Sequence, residues 1–466
     1  MYEGEYMFRF YIALWMSKLS VIALKLTGHN GTDFPGTVAL KICPDFLKYI
    51  AKPKHIIGIT GTNGKTTVTN LLTDALAADG IRVLSNREGS NIRTGISTIL
   101  MKGVTLFNRS RFDSAVLEID ERSAGLVFPY VRPELMLINN LTRDSIMRNA
   151  HPGFIARILT EEMPKETRLV INGDDLIACS VAPSNDRVYF GIDRMDTDTD
   201  RCINLINDMQ VCPRCTSKLV FDTVRYHHIG KAHCPECGFS SPNCDYEGHD
   251  VNLMDMTMQI RDKDGSEESY RLINESVFNI YNIVAVTAVM REMGYSKERV
   301  SELLSNISIV KTRFNEQRIG DYTLSMQLSK DKNALAASRV FDYISSKSGR
   351  KEIILMMSCL GDTKHWSENT CWLYDCDFEF LADESFERII VAGDRGLDYV
   401  LRLELAGVDR DRIRCTRNEK DIPKLLKLSP GTDVYFLYGT DSISLAESIA
   451  SEIRCNMLAK SEVSEC

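Results

Sequence analysis

Residues 55–72 read HIIGITGTNGKTTVTNLL, an apolar run followed by a glycine-bearing turn and the beginning of a helix. Ile56, Ile57 and Ile59 supply the β-branched residues of a short buried strand. Gly61 and Gly64 let the backbone approach a phosphate closely, and the N–H groups at the N-terminus of the following helix favour an anion. The stretch therefore predicts a strand, a phosphate-binding loop and a helix, in that order.

The loop itself is GTNGKTT, residues 61–67. Its spacing lets Lys65 reach the β- and γ-phosphates of a nucleotide, and it lets Thr66 hold Mg²⁺ through its hydroxyl. The strict Walker pattern has glycine at position 59, where this chain has Ile59, so an ordinary glycine-rich turn is the alternative. We expect nucleotide contacts from the whole loop: Gly61, Thr62, Asn63, Gly64, Lys65, Thr66 and Thr67.

The bulk composition indicates a soluble protein with more than one domain. With 466 residues, the chain has room for two or three domains of about 150 residues each. A net charge of −8 and the lack of a basic run predict no nucleic-acid partner. Fourteen cysteines, four of them in two C-x-x-C pairs, favour a bound metal in a reducing compartment over a disulfide framework. We therefore expect a cytoplasmic protein.

An apolar segment lies near the N-terminus, at residues 7–26. Arg9, Lys18 and Lys25 interrupt it, so it falls short of the ~20 apolar residues that a membrane span needs. No small-residue cleavage site follows it, which argues against a secretory signal. An amphipathic helix is predicted instead, and two roles stay open for it: docking on its own domain, or peripheral contact with the inner face of the cell membrane. The residues that fit this helix are Phe10, Tyr11, Leu14, Trp15 and Lys18.

Several further segments read as parts of one parallel sheet. Residues 38–49 are predicted to be an entry strand, and a helix at 67–78 followed by a strand at 81–85 makes a βαβ unit. Three apolar strands, at 114–120, 135–139 and 169–175, each end in acidic or asparagine residues, which predicts one site at their shared edge. Glu118 lies at the first of these ends, where it could supply the carboxylate of a Mg²⁺-nucleotide site or be a solvated strand end. Glu121 is expected to cap the next helix.

The two C-x-x-C pairs flank eighteen residues, a spacing typical of zinc ribbons. Four thiolates satisfy tetrahedral Zn²⁺ and leave no open position, so the metal should be structural. The expected ligands are Cys212, Cys215, Cys234 and Cys237. Three histidines between the pairs are expected at the surface: His227, His228 and His233.

The second half of the chain predicts a long helix and another α/β domain. Residues 278–290 are apolar, with Asn279 and Asn282 on one helix face. Strands at 351–358, 388–391 and 434–438 alternate with helical stretches, which indicates a second domain beginning near residue 320. Between them lies CWLYDCDFEF, residues 371–380, predicted to be a half-buried strand whose Asp375 and Asp377 have either a role at an interface or a plain polar face.

The segments GTNGKTT, LEIDE, NNLTRD, NGDD, FNIYN and KTRF follow one another in this order, and the series resembles the central domain of the Mur ligase family. The four-cysteine insertion and the terminal segments WLYDCDFE and GDRGLDYVLRLELAG are similar to those of its amidating members. The resemblance implies an α/β fold with a Mur ligase central domain that has a parallel sheet and P-loop, an inserted four-cysteine zinc ribbon, and a second α/β C-terminal domain. The implied boundaries are an N-terminal amphipathic segment at 1–33, a central ATP-binding domain at 34–315, a ribbon at 208–248 and a C-terminal domain at 316–466.

The same resemblance implies ATP-dependent amidation of the α-carboxylate of D-glutamate in the peptidoglycan precursor lipid II, through an acyl phosphate. Ammonia would come from a GatD-type glutamine amidotransferase partner. By resemblance, Lys65 and Thr66 serve ATP and Mg²⁺, and Glu118 binds the metal. Asn282 and Arg313 would contact the nucleotide. Asp375, with Asp377 in reserve, would orient the catalytic histidine of the partner.

Some segments depart from the family pattern. Ser145 stands where the members that add amino acids have a metal-binding histidine, and residues 330–332 and 360–367 differ from the usual terminal-domain loops. Three alternatives therefore stay open: a divergent paralogue with an altered substrate, an amino-acid ligase of the Mur or folylpolyglutamate type, and a non-catalytic nucleotide-binding scaffold for a glutaminase.

Overall fold

The computed structural model describes residues 3–29, 31–87, 89–143, 151–307, 314–329, 333–357 and 370–464. Two compact units make up the chain. The first unit consists of Met1–Thr142, His151–Ile203 and Asn207–Ile309. The second unit consists of Arg143–Ala150, Asn204–Ile206 and Val310–Cys466. The domain boundaries inferred from the sequence stay a prediction.

The first unit is built on a nine-stranded sheet. The described strands of this unit, nine in the sheet and two in a separate hairpin, are β1 (His55–Thr60), β2 (Val83–Ser85), β3 (Ser114–Glu118), β4 (Leu135–Ile138), β5 (Arg168–Asn172), β6 (Arg187–Ile192), β7 (Val220–Tyr226), β8 (Ile229–His233), β9 (Tyr246–Asn252), β10 (Thr257–Arg261) and β11 (Glu267–Arg271). The large sheet has the order β11-β10-β9-β6-β5-β4-β1-β3-β2, and β7 pairs with β8 in a separate hairpin. From β9 to β2 the pairs are parallel, whereas β9, β10 and β11 pair antiparallel. The predicted parallel sheet is confirmed.

Helices cover both faces of this sheet. They are α1 (Glu3–Leu26), α2 (Phe34–Ile42), α3 (Phe46–Tyr49), α4 (Lys65–Ala78), α5 (Arg93–Gly103), α6 (Ala124–Val127), α7 (Pro152–Glu162), α8 (Leu176–Cys179), α9 (Val277–Glu292) and α10 (Lys297–Ser305). Because side chains alternate along a strand, Ile56 packs in one core with α1, α2 and α5, while Ile57 and Ile59 pack in the other with α4 and α9. The apolar run of β1 is therefore buried on both sides, as a central parallel strand requires.

The strand order explains where a ligand can bind. β1 lies between β3 and β4, so the chain adds strands on one side of β1 and then crosses to the other side. Ligands of open α/β sheets bind at the carboxyl ends of the strands, where the order reverses in this way. The loop after β1 lies at this position.

The entry strand predicted at residues 38–49 is wrong, because α2 and α3 occupy this region. Pro35 stands in the first turn of α2, where its missing N–H costs nothing. Gly36 and Ala39 are buried, three residues apart on one helical face. This spacing was the signal for a helix, and the apolar character of the segment concealed it.

The second unit has a six-stranded sheet of order β12-β13-β17-β14-β15-β16, parallel except for the β12–β13 pair. Its strands are β12 (Phe314–Ile319), β13 (Tyr322–Leu328), β14 (Arg350–Met356), β15 (Phe386–Ala392), β16 (Ile413–Thr416) and β17 (Thr432–Tyr438). Its helices are α11 (Ala334–Ser346), α12 (Gly396–Leu405), α13 (Ile422–Leu425) and α14 (Ile443–Ser464). The predicted second α/β domain is thus confirmed.

Residues 371–380 do not form the strand predicted for them. They make two short 3₁₀ helices, Cys371–Tyr374 and Phe378–Ala382. Trp372, Leu373 and Phe378 are all buried. Successive apolar residues such as the first two cannot both face the core from a strand, but they can from a turn.

Candidate functional site

The phosphate loop connects β1 to α4 and depends on two glycines. Gly61 has φ 135° and Gly64 has φ 85°, a region of backbone conformation that glycine adopts without strain. A Cβ on Gly64 would lie 2.3 Å from Nδ2 of Asn139 and 2.6 Å from Oδ1 of Asn282. The loop therefore packs directly against two asparagines and leads into the N-terminus of a fourteen-residue helix, a favourable place for an anion.

Lys65 is held by an acidic residue next to the loop. Its Nζ donates to the carbonyl oxygen of Gly61 and lies 3.1 Å from Oε1 of Glu121. The same carboxylate accepts from the Gly61 N–H at 2.9 Å and from the Thr60 hydroxyl at 3.1 Å. Glu121 thus joins the end of β1, the loop backbone and the lysine.

The pKa shifts of this pair favour the charged form of both groups. Burial lowers the pKa of Lys65, but the charges of Glu121 and Glu118 outweigh it and raise the pKa above its ordinary value. Burial raises the pKa of Glu121, yet the Lys65 charge and the hydrogen bond from Gly61 leave it below its ordinary value. A phosphate that binds Lys65 must therefore compete with Glu121.

Thr66 and Glu118 form a second pair. The Thr66 hydroxyl donates to Oε2 of Glu118 at 2.9 Å, and Nδ2 of Asn91 donates to Oε1 at 2.8 Å. Asn86 bonds both the N–H and the C=O of Glu118, each at 2.8 Å. Glu118 is buried, so it is not the solvated strand end considered above. A hydroxyl and a carboxylate oxygen are ligands that Mg²⁺ accepts, and these two residues fit that ion.

Asparagines surround the other side of the loop. The Asn63 N–H donates to Oδ1 of Asn140 at 2.9 Å, and the Asn63 carbonyl accepts from Asn139 and Asn140, each at 3.0 Å. Asn139 also donates to Oδ1 of Asn282 at 3.1 Å, which brings helix α9 to the loop. The structure therefore gathers the loop, Glu118 and Asn282, whereas Arg313 lies outside the described residues.

Sequence reasoning missed two functional candidates at this site. Glu121 was expected to cap a helix, but Asp120 is the cap, since its side chain accepts from the Arg122 N–H at 3.1 Å. Glu121 instead points to Lys65. Asn139 was read only as a strand end. The one signal in the sequence was that Glu121 and Asn139 follow buried strands closely, at the edge of the sheet where the strand order reverses.

The four ribbon cysteines come together. Their sulfurs lie within 4.8 Å of one another, with Cys212–Cys237 and Cys215–Cys234 separations of 3.5 Å. Four thiolates at about 2.3 Å from a tetrahedral zinc ion would be about 3.8 Å apart, so this donor set fits structural Zn²⁺. Thr216 and Gly238, which follow the two C-x-x-C pairs, both have left-handed backbones, with φ 62° and 69°.

Two of the three ribbon histidines contradict the surface prediction. His227 and His228 are 2% and 1% exposed, whereas the His233 side chain is partly exposed, at 43%. His228 Nε2 lies 3.3 Å from Oδ1 of Asp175, and the other oxygen of that carboxylate, Oδ2, accepts from the Leu141 N–H at 2.6 Å. The tip of the β7–β8 hairpin is therefore buried in the first unit.

A buried ion-pair cluster fixes the same hairpin. Arg225 on β7 contacts Asp174 Oδ2 at 3.0 Å and Asp198 Oδ2 at 2.6 Å. Tyr281 on α9 donates to Asp174 Oδ2 at 2.7 Å and also contacts the guanidinium. Tyr281 precedes Asn282, so this cluster connects the ribbon to the helix that reaches the phosphate loop.

Asp375 and Asp377 differ in their surroundings within the second unit. The side chain of Asp377 is buried and accepts from the Leu205 N–H at 2.6 Å and from Asn204 Nδ2 at 2.9 Å. Asp375 is partly exposed and lies 3.2 Å from Nη1 of Arg143. Asp377 therefore holds its own unit together, which leaves Asp375 as the carboxylate better able to meet another molecule.

Two known protein families match this chain, one largely in the first compact unit and one in the second. Residues 59–201 match the Mur ligase middle domain family, and residues 331–452 match the MurT ligase C-terminal family. The lipid II isoglutaminyl synthase (glutamine-hydrolyzing) subunit MurT of Staphylococcus aureus (strain COL) is 29% identical over 91% of this chain and 97% of its own length. The subunit of that name from Streptococcus pneumoniae (strain ATCC BAA-255 / R6) is 27% identical over 88% and 90%. Among solved structures, a pseudomurein peptide ligase type C from Methanothermus fervidus has a TM-score of 0.67 at 20% identity, covering 88% of this chain and 81% of its own.

Residues 59–201 are thus a Mur ligase middle domain by their family match, and the fold is shared with a solved pseudomurein peptide ligase. Along nine-tenths of its length the chain is similar to MurT, and its C-terminal region matches the MurT family model.

Proposed function

We propose that this chain is the synthetase subunit of a glutamine-hydrolysing lipid II isoglutaminyl synthase. It uses ATP to convert the α-carboxylate of D-glutamate in lipid II to the amide of D-isoglutamine. The observation that carries the proposal is the placement of Lys65 and the Thr66–Glu118 pair around one phosphate loop. The similarity to MurT subunits gives the substrate class.

The chemistry needs a carboxylate to become a good acyl donor. A carboxylate oxygen of the substrate attacks the γ-phosphorus of ATP, and ADP leaves, which gives an acyl phosphate. Ammonia then attacks the acyl carbon, inorganic phosphate leaves, and a proton is lost. Lys65 would stabilise charge on the transferring phosphoryl group, and Thr66 and Glu118 would hold Mg²⁺, which when bound supplies further positive charge.

The partner and location are parts of the same proposal. The relatives are named as subunits, and a GatD-type glutaminase would supply ammonia to this chain in the cytoplasm. Asp375 would orient the catalytic histidine of that partner, and its partial exposure supports this choice over the buried Asp377. Zinc at the four cysteines would be structural, since four thiolates leave no position for substrate.

Reconstitution tests the proposal. The chain is combined with a GatD-type glutaminase, glutamine, Mg²⁺-ATP and detergent-solubilised lipid II, with a Lys65→Met variant as the matched control. Expected products are ADP and amidated lipid II, with at least about a hundredfold lower rate for the variant. Addition of an amino acid without the glutaminase would instead identify a Mur or folylpolyglutamate type of ligase. ATP binding with no turnover on any lipid II would identify a scaffold.

A further inference from the structure

Helix α1 has an apolar face that its own unit does not cover. Phe10, Leu14 and Ser17 are fully buried on its inner side. On the opposite side, apolar residues recur every three, four or seven positions and make one stripe along the helix. The exposed residues of this stripe are Phe8 at 68%, Trp15 at 46%, Leu19 at 57%, Ile22 at 56% and Leu26 at 84%.

The loop after α5 extends this apolar surface. Trp15 Nε1 donates to the carbonyl oxygen of Leu106 at 3.0 Å, which places the loop beside the stripe. Leu106 is 54% and Phe107 is 75% exposed. We call the stripe together with Leu106 and Phe107 the α1 surface. A contiguous exposed apolar surface of this kind marks an interaction site in a soluble protein.

The charges around the α1 surface are mostly positive, and the acidic residues of α1 itself are Glu3 and Glu5 in its first turn. Residues 6–26 and 102–112 contain no acidic residue, although the whole chain has a net charge of −8. Their six cations are Arg9, Lys18, Lys25, Lys102, Arg109 and Arg111. A second copy of this chain docked here would bring like charges together. An anionic surface would instead be complementary, since each cation near a lipid headgroup layer adds to the attraction.

We propose that the α1 surface docks on an anionic membrane, with helix α1 lying in the plane of the interface. Among the described helices, α1 is long and apolar enough over Glu5–Leu26 to cross a bilayer by length and composition. Its inner face argues against spanning, because Ser17 donates to the carbonyl oxygen of Pro35 at 2.5 Å. Lys18 donates to the carbonyl oxygens of Met101 and Val104, each at 2.8 Å. These bonds hold the helix on its unit and leave the stripe to enter the headgroup region.

This inference rests on the proposed function for its biological role, because lipid II is a lipid-linked substrate. Docking would place the first unit beside the leaflet that carries the substrate and would raise the local concentration of lipid II. The physical claim of vesicle binding is separate and needs no catalysis.

The test is flotation of the zinc-loaded full chain with vesicles that contain neither lipid II nor a partner protein. Vesicles of phosphatidylcholine with 30% phosphatidylglycerol as the added anionic lipid are compared with pure phosphatidylcholine. We expect binding to the anionic vesicles, and a loss of at least about tenfold for Leu19→Asp, since this variant replaces an apolar side chain that would be buried among the headgroups by a charged one. Leu458→Asp, at a half-exposed leucine of α14, is the matched control and should bind as the parent does.

A second variant probes charge without changing the apolar stripe. In Lys25→Gln with Arg109→Gln, we expect about fivefold weaker binding to anionic vesicles for each cation removed. The proposal is overturned if the parent binds anionic vesicles no more strongly than neutral ones. The proposal is also overturned if the Leu19→Asp variant binds anionic vesicles as well as the parent does. It is likewise overturned if the parent does not bind vesicles but forms a homodimer that Leu19→Asp dissociates. Amidation of detergent-solubilised lipid II should be unchanged in Leu19→Asp. If the parent chain binds anionic vesicles but does not amidate lipid II, the proposed function alone is rejected.

Discussion

Arg225→Met should destabilise the first unit strongly. The Arg225 side chain is 4% exposed, and it pairs with Asp174 and Asp198, which are 0% and 1% exposed. Arg225 donates two hydrogen bonds to Asp198, from Nε to Oδ1 at 3.1 Å and from Nη2 to Oδ2 at 2.6 Å. Methionine would keep much of the stem packing and delete the charge, so two carboxylates would lose their buried partner.

The size of the effect follows from this burial. Breaking a buried ion pair by removing one partner costs about 3–5 kcal/mol, because the remaining charge cannot recover its hydration. An exposed pair contributes about 0–1 kcal/mol. Arg194→Met is the matched control, since Arg194 pairs with Asp200 at 2.9 Å while the two side chains are 54% and 81% exposed.

Urea unfolding measured by circular dichroism gives the change in unfolding free energy, and native-state hydrogen exchange locates it. We expect increased exchange in β7, β8 and α9, because Tyr281 loses part of the cluster that holds it. Arg225→Lys should recover part of the loss, since it restores charge without the planar fork. A loss for Arg225→Met no larger than that for Arg194→Met would refute the reasoning.

Three further changes probe the other parts of the molecule. Glu121→Gln should bind ATP about fivefold more tightly by calorimetry, because a neutral side chain no longer competes as strongly for Lys65; weaker binding would mean that Glu121 positions the lysine. Cys212→Ser should lose the zinc measured by elemental analysis, whereas Cys455→Ser, at an exposed cysteine, should keep it. Asp375→Asn should lower the glutaminase activity of the reconstituted complex by at least about tenfold, while ATP binding by the chain alone stays unchanged; normal glutaminase activity would rule Asp375 out.

Local chemistry explains what could be predicted from the sequence. The β1–α4 segment follows from the apolar run and from glycines whose positive φ the structure shows. The cysteine pairs cluster because their spacing alone defines a ribbon. In both cases the information lies within a few residues of the feature. These elements therefore needed no knowledge of distant contacts.

Distant contacts explain what could not be predicted. Glu121 is 56 residues from Lys65, and nothing near it in the sequence distinguishes it from a helix cap. His228 is buried because the hairpin tip enters the first unit beside Asp175, far away in the sequence. The misread segment at 371–380 has the same origin, since its 3₁₀ turns are shaped by a core that other strands and helices supply. Burial of polar residues is decided by partners that one sequence does not reveal.

The place of the ribbon in the sheet leads to a last prediction. The insertion joins β6 to β9, which are parallel neighbours, so the sheet stays continuous across it. Its hairpin contacts the rest of the unit through Arg225 and His228, and Tyr281 connects the Arg225 cluster to α9. If zinc stabilises the nucleotide site through this hairpin, Cys212→Ser and Arg225→Met act on one structural unit. Their free-energy losses should then fall short of additivity by about 0.5–3 kcal/mol, as for other coupled sites.

The measurement is a double-mutant cycle with two readouts, the urea unfolding free energy and the dissociation constant of ATP. Arg194→Met combined with Cys212→Ser is the control cycle, because the exposed Arg194 pair should contribute little and add independently. Additive losses in the Arg225 cycle would show that the ribbon folds without affecting the cluster. If the two substitutions are coupled in the unfolding free energy but not in ATP affinity, the ribbon stabilises the first unit without affecting the predicted nucleotide contact of Asn282.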